Sequence, residues 1–137
     1  MLFRSVHDHP WTGVGPNMVP RVYAQYRPDY AVNQVNPHLH NVPIQIAAER
    51  GVPALLVWLW LIVALARRLL RLFGVPALRQ VAATALAALA AMLAAGLFEY
   101  NFGDSEFLML WLVLVTLPCA ATRRDDIVAG GPAPSTV

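Results

Sequence analysis

The sequence predicts an all-α integral membrane protein: three transmembrane helices preceded by an exported loop with short helices, the whole a fragment of a larger polytopic bundle. Three observations predict it. Of the 137 residues, 58% are hydrophobic and only 13% charged. A soluble domain carries roughly 25% charged residues. The shortage is also uneven: residues 1–50 are polar and ordinary, whereas residues 51–122 hold nearly all the long apolar runs. Such uninterrupted runs suit lipid better than one soluble core. Finally, all ten basic residues are arginine, and Arg67, Arg68, Arg71, Arg79, Arg123 and Arg124 lie between or after those runs. That placement fits membrane orientation. Nucleic-acid binding would need a basic face interleaved with aromatics, so no nucleic-acid partner is expected.

Each element has its own signal. The start of the chain lacks the apolar core of a signal peptide. Thr12-Gly13-Val14-Gly15-Pro16 reads as a tight, irregular turn, since glycine tolerates positive φ and Pro16 extends the residue before it. Its amides could cradle a phosphate, although no strand precedes it; a turn at a membrane surface is the plainer reading. A short helix is expected over residues 21–26, ended by Arg27-Pro28. Residues 31–42 are turn-rich. Asn41 can cap a short amphipathic helix that has Pro43 in its first turn and Ile44, Ala47 and Ala48 on one face. Gly51 is the natural C-cap of that helix, and Pro53 opens the next.

The first membrane helix is expected over about 53–70. Eighteen residues at 1.5 Å rise cover about 27 Å, near the hydrocarbon thickness. Trp58 and Trp60 lie where interfacial anchors would. The second, about 77–98, is rich in alanine and has the small side chains that let membrane helices approach closely, as an interior helix does. The third, about 107–122, carries Pro118 as a potential kink. Residues 123–137 read as a disordered cytoplasmic tail. Cys119 lies within an apolar run, has no intrachain partner, and says nothing of redox compartment. By the positive-inside rule the arginine-bearing link and tail are cytoplasmic. Residues 1–50 and the link 99–106 are then exported to the same side, so Glu99, Asp104 and Glu106 can face His38 and His40.

Two chemistries compete on that side. The pairs His7/His9 and His38/His40 could each present two imidazoles on one face. Their order and 28-residue gap match no metal signature, so no metal and no cofactor is expected. Alternatively, one histidine acts as general base on a hydroxyl, oriented by a carboxylate, while arginines hold a leaving diphosphate. The catalytic candidates are His40, Glu49 and His38. The substrate-binding candidates are Arg21, Arg27, Asn41, Asp104 and Glu106; guanidinium suits diphosphate oxygens because it binds them bidentately. Spacing leaves open which carboxylate serves which histidine. Transport is disfavoured, because no ionisable residue lies mid-bilayer. A non-catalytic module that only packs against partner helices is a competing reading, supported by the alanine-rich helix.

His40-Asn41, nine residues, then Gly51 resembles the signature of the O-antigen ligase and polymerase family of bacterial envelope glycosyltransferases. That signature continues for two residues to a Gly, Thr or Tyr; here the position is Ala54, a departure conservative in size. Leu39-His40-Asn41, Ala48-Glu49-Arg50-Gly51 and the upstream run His9 to Pro16 are also similar to the family. Tyr100 to Glu106 is similar to a loop after the penultimate helix of some members. The likeness spans roughly residues 6–122. It implies transfer of a glycan from undecaprenyl diphosphate to lipid A core or another acceptor, at the periplasmic face of the inner membrane. It also implies that His40 activates the acceptor hydroxyl without a metal. Members have many more spans than three. The expectation is therefore a C-terminal portion, from a truncated gene or a split enzyme such as a polysaccharide polymerase. Its missing helices would come from a neighbouring chain, and it would be inactive alone.

Overall fold

The computed structural model of the chain describes residues 2–26 and 39–129. His38 and Arg27, both named above as site candidates, lie outside the described residues. Among the described residues five α-helices follow in order: α1 (Leu2–Asp8), α2 (Val19–Tyr26), α3 (Val42–Phe73), α4 (Arg79–Ala95) and α5 (Ser105–Ala129), with short 3-10 turns at Pro76–Leu78 and Asn101–Gly103. No strand occurs among the described residues. Three stretches, Val42–Phe73, Pro76–Ala95 and Ser105–Thr122, are long and apolar enough to cross a membrane. The all-α, three-span fold class read from composition is what the chain adopts.

Helix α3 is two limbs joined at Gly51. Asn41, extended at φ −165°, caps the first limb, its side chain accepting from the Ile44 N–H at 3.0 Å. Gly51 then takes φ 82° and ψ 170°, backbone space reserved for glycine. The second limb starts at once, with Pro53 in its first turn, where a missing N–H is harmless. It runs to Phe73, whose successor Gly74 closes it by donating to Arg71.

α4 lies between α3 and α5 and makes most of the interhelical contact. Its alanines do this: Ala82 and Ala85 are fully buried. Around them Ile62, Leu69, Leu89, Met92, Trp111 and Val115 form one cluster, and Leu72 and Leu78 join Ala82 in a second. Within lipid, such packing is held by dispersion between close surfaces rather than by expulsion of water. The outward faces stay apolar: Leu56, Val57, Trp60 and Leu61 on α3, and Met109, Leu110 and Val113 on α5 are exposed. α4 stops at Ala95, where the Gly96 and Leu97 N–H groups bond back to Met92 and Ala94, so Leu97 and Phe98 belong to the turn. α5 continues past residue 122 to Ala129.

The two ends of the bundle differ in chemistry. One carries Arg67, Arg68 and Arg71 near the end of α3 and Arg79 at the start of α4. The other carries α1, α2, the first limb of α3 and the turn 96–104, and it holds every candidate site residue that is described.

Candidate active site

The first limb of α3 is fixed by a clasp of backbone. The turn after α1 lies directly on residues 48–52. Val14 N–H donates to Ala48 O at 2.8 Å and Gly15 N–H to Glu49 O at 3.0 Å. In return Val52 N–H donates to Pro10 O at 2.7 Å. These bonds satisfy the carbonyls at the end of one helix and an amide at the start of the next. Approach this close requires glycine on both sides. A Cβ at Gly13 (φ 65°) would run into the Glu49–Arg50 peptide, and one at Gly51 (φ 82°) into the Trp11–Thr12 peptide. The phosphate-cradle possibility for this turn falls on the same bonds. The amides of Gly13, Val14 and Gly15 are taken up by His9, Ala48 and Glu49 carbonyls.

A second set of bonds ties the same limb to the turn after α4. Val42 N–H donates to Gly96 O at 2.7 Å, and the Asn41 amide donates to Leu97 O at 3.1 Å. Asn41 thus caps α3 with its oxygen and grips the turn with its nitrogen. Leu39, buried against Val19 and Ala48, is held by its N–H to the buried Gln45 side chain at 2.7 Å. His40 stands between these two anchored neighbours.

Glu99 meets it there. His40 Nδ1 lies 3.3 Å from Glu99 Oε1 and 3.4 Å from Oε2. The Tyr100 N–H donates to the same Oε1 at 3.2 Å, which sets the carboxylate's direction. Both side chains are more than half exposed, so the pair adds little to stability; its effect is to orient the imidazole.

Glu49, expected in the catalytic set, is placed elsewhere. It is 2% exposed, and its Oε1 has no hydrogen-bond partner among the described residues. Its charge is felt by Tyr100. Burial, and then Glu49, raise the phenol above its ordinary pKa, while Arg50 opposes them. Arg21 sits on the exposed side of α2. Asp104 caps α5, its Oδ1 accepting from the Glu106 N–H at 3.0 Å and the Phe107 N–H at 3.4 Å. Glu106 is exposed in the first turn of that helix, where a negative charge is favourable. Among the described residues, no three histidine, cysteine or carboxylate side chains converge as a metal cluster would require.

Glu99, Asp104 and Tyr100 line an open cleft of about 690 Å³ together with Asn17, Gln45 and Arg50. His40 reaches its rim through Glu99. From Arg50 and Tyr100 a groove of about 510 Å³ continues down the second limb of α3 past Pro53, Val57 and Leu61. Glu99 is one of three carboxylates in the link 99–106, and only the turn after α4 singles it out. Arg50 carried a clearer signal, being the last residue before the Gly51 break.

A search among curated proteins gives no match. The family model for O-antigen ligase matches residues 1–59. That span contains both halves of the clasp, His40, Asn41 and Gly51. It stops before Tyr100–Glu106, so the likeness read there gains nothing from it. Residues 1–59 are thus similar to the O-antigen ligase family, and the three helices long and apolar enough to cross a membrane suit a membrane protein of that kind.

Proposed function

We propose that the chain serves glycosyl transfer at the periplasmic face of the bacterial inner membrane, moving a glycan from undecaprenyl diphosphate to a hydroxyl of lipid A core or another glycan acceptor. The observation that carries this reading is the His40–Glu99 pair, 3.3 Å apart, whose Glu99 lines an open cleft. His40 takes the proton from the acceptor hydroxyl. The acceptor oxygen bonds to the anomeric carbon from the face opposite the diphosphate. The glycosidic C–O bond breaks, and undecaprenyl diphosphate leaves with the electron pair. Glu99 holds the imidazole and stabilises the imidazolium. Guanidinium groups meet the leaving charge. Arg21 and Arg27 remain candidates, and Arg50 joins them because it stands where the polar cleft turns into the apolar groove. Asn41 acts by positioning; Asp104 and Glu106 are left for acceptor hydroxyls. In this orientation the arginine end of the bundle and residues 123–137 face the cytoplasm.

The test is transfer in inner-membrane vesicles from cells that make the full chain together with its neighbouring membrane proteins, supplied with undecaprenyl diphosphate glycan and lipid A core. His40→Ala is expected to lower the rate about 10²–10⁴-fold, the usual worth of a general base. Glu99→Gln is expected to lower it about tenfold, as a loss near one pK unit of stabilisation would. Unchanged transfer by His40→Ala rejects the mechanism. A wild-type chain without transfer favours the second reading, a packing module or a subunit of a split polymerase. The apolar outward faces of α3 and α5 support that reading.

A further inference from the structure

Two aromatic residues sit side by side in the turn between α4 and α5, and they do different things. Phe102 points into the bundle, edge-on to Trp58 at 5.7 Å and tilted against Trp111 at 5.9 Å. Its packing accounts for it. Tyr100 is half-buried and lines the cleft. Its ring is nevertheless fixed. It lies on Gly103, where an added Cβ would come within 2.5 Å of Cε1 and 2.8 Å of Cδ1. Its own N–H is bonded to Glu99, the residue that holds His40. The turn therefore seats a flat ring in the cleft that Glu99 also lines, and omits a side chain at Gly103 to do so. Asn17, Gln45 and Asp104 surround it in the cleft with amide and carboxylate groups.

We propose that the Tyr100 ring is the platform on which the acceptor's pyranose ring lies next to His40. The assignment rests on the glycosyltransferase reading above. A pyranose has one face of polarised C–H bonds and a rim of hydroxyls. The negative face of an aromatic ring suits the first, and amides with carboxylates suit the second. A rigid ring loses little freedom on binding, so the platform favours sugars whose apolar face is unbroken by axial hydroxyls.

The test is saturation-transfer NMR of the full chain in nanodiscs with methyl β-glucoside, methyl β-galactoside and methyl β-N-acetylglucosaminide as probes. Transfer to the C–H face of at least one pyranoside is expected. Tyr100→Ala is expected to weaken that binding about tenfold, the upper end of what one aromatic face contributes. Tyr100→Phe, which keeps the ring, should retain it. Gly103→Ala, which displaces the ring without altering it, should lose it, and this second variant guards against misfolding of the first. Absence of binding by the wild type, or binding unchanged in Tyr100→Ala, overturns the platform. So does loss in Tyr100→Phe, which would move the contact to the hydroxyl. His40→Ala separates the two claims. Pyranoside binding kept while transfer is indifferent to His40 sinks the mechanism and leaves the platform standing. Transfer dependent on His40 without pyranoside binding does the reverse.

Discussion

The two ends of the bundle are held together by different forces. At the arginine end, Leu72, Leu78 and Ala82 pack side chain to side chain, and the polar contacts are loose. Arg79 lies over the Phe73 ring at 5.9 Å, and Arg68 Nε reaches Cys119 Sγ at 3.4 Å. At the His40 end, backbone-to-backbone hydrogen bonds and buried Gln45, Glu49 and Asn101 stand beside a small apolar cluster of Val19, Leu39 and Ala48. Packing of the first kind tolerates small shifts, because dispersion is not directional. Hydrogen-bonded contact of the second kind tolerates few, because geometry decides it. The end that carries the candidate site is built the second way.

The comparison can be broken at its strongest point first. Gly51→Ala puts a methyl group into the Trp11–Thr12 peptide at a φ that L-residues avoid. A loss of about 3 kcal/mol or more is expected, with residues 9–15 becoming accessible to protease. Unchanged protease resistance in membranes would show that the clasp does not hold the site end. Asn41→Ala removes a cap and the grip on Leu97 together, and should cost about 1–2 kcal/mol in thermal unfolding. A cost near zero would mean that Val42 and Gly96 suffice alone.

Tyr100 sharpens the comparison through pH. Its pKa in the folded chain is raised above the ordinary value of 10.0, first by burial and then by Glu49. The linked stability is fully present below that ordinary value and is lost as pH rises through the raised one. Tyr26 is raised as well, so ultraviolet titration should show late-ionising phenols, of which Tyr100→Phe should remove one together with part of the alkaline loss. The smallest effect is expected at the opposite end. Arg68→Ala should change stability by no more than about 0.5 kcal/mol, since its partner is a thiol at an exposed surface. A larger loss would mean that the arginine end also depends on directional contacts.

Much of this was legible in the sequence, and the reasons are local. Asn41, Pro43, Gly51 and Pro53 are punctuation with fixed meanings, so the cap and the break could be read from residue types alone. The apolar runs announced three helices, and the alanines announced which one sits in the middle. The clasp was not legible. Gly13 and Gly51 are far apart in sequence, and each looks like an ordinary turn glycine until the other is placed against it. The same holds for His40 and Glu99, 59 residues apart, whose meeting depends on where α4 stops. Nor was it legible that Glu49, near His40 in sequence, is turned into the interior by its position on the first limb of α3.

The Gly51 junction also has a meaning for how the chain enters a bilayer. The clasp can close only if residues 9–15 and the top of α3 arrive on the same side of the membrane. If the N-terminal segment is stranded on the opposite face, the Val52 amide loses its acceptor at Pro10, and the carbonyls of Ala48 and Glu49 lose their donors. Unsatisfied backbone groups near hydrocarbon are costly. The interlock therefore ties stability to topology: a chain with its N-terminal segment on the wrong face keeps the bonds to Gly96 and Leu97 but lacks those between residues 10–15 and 48–52.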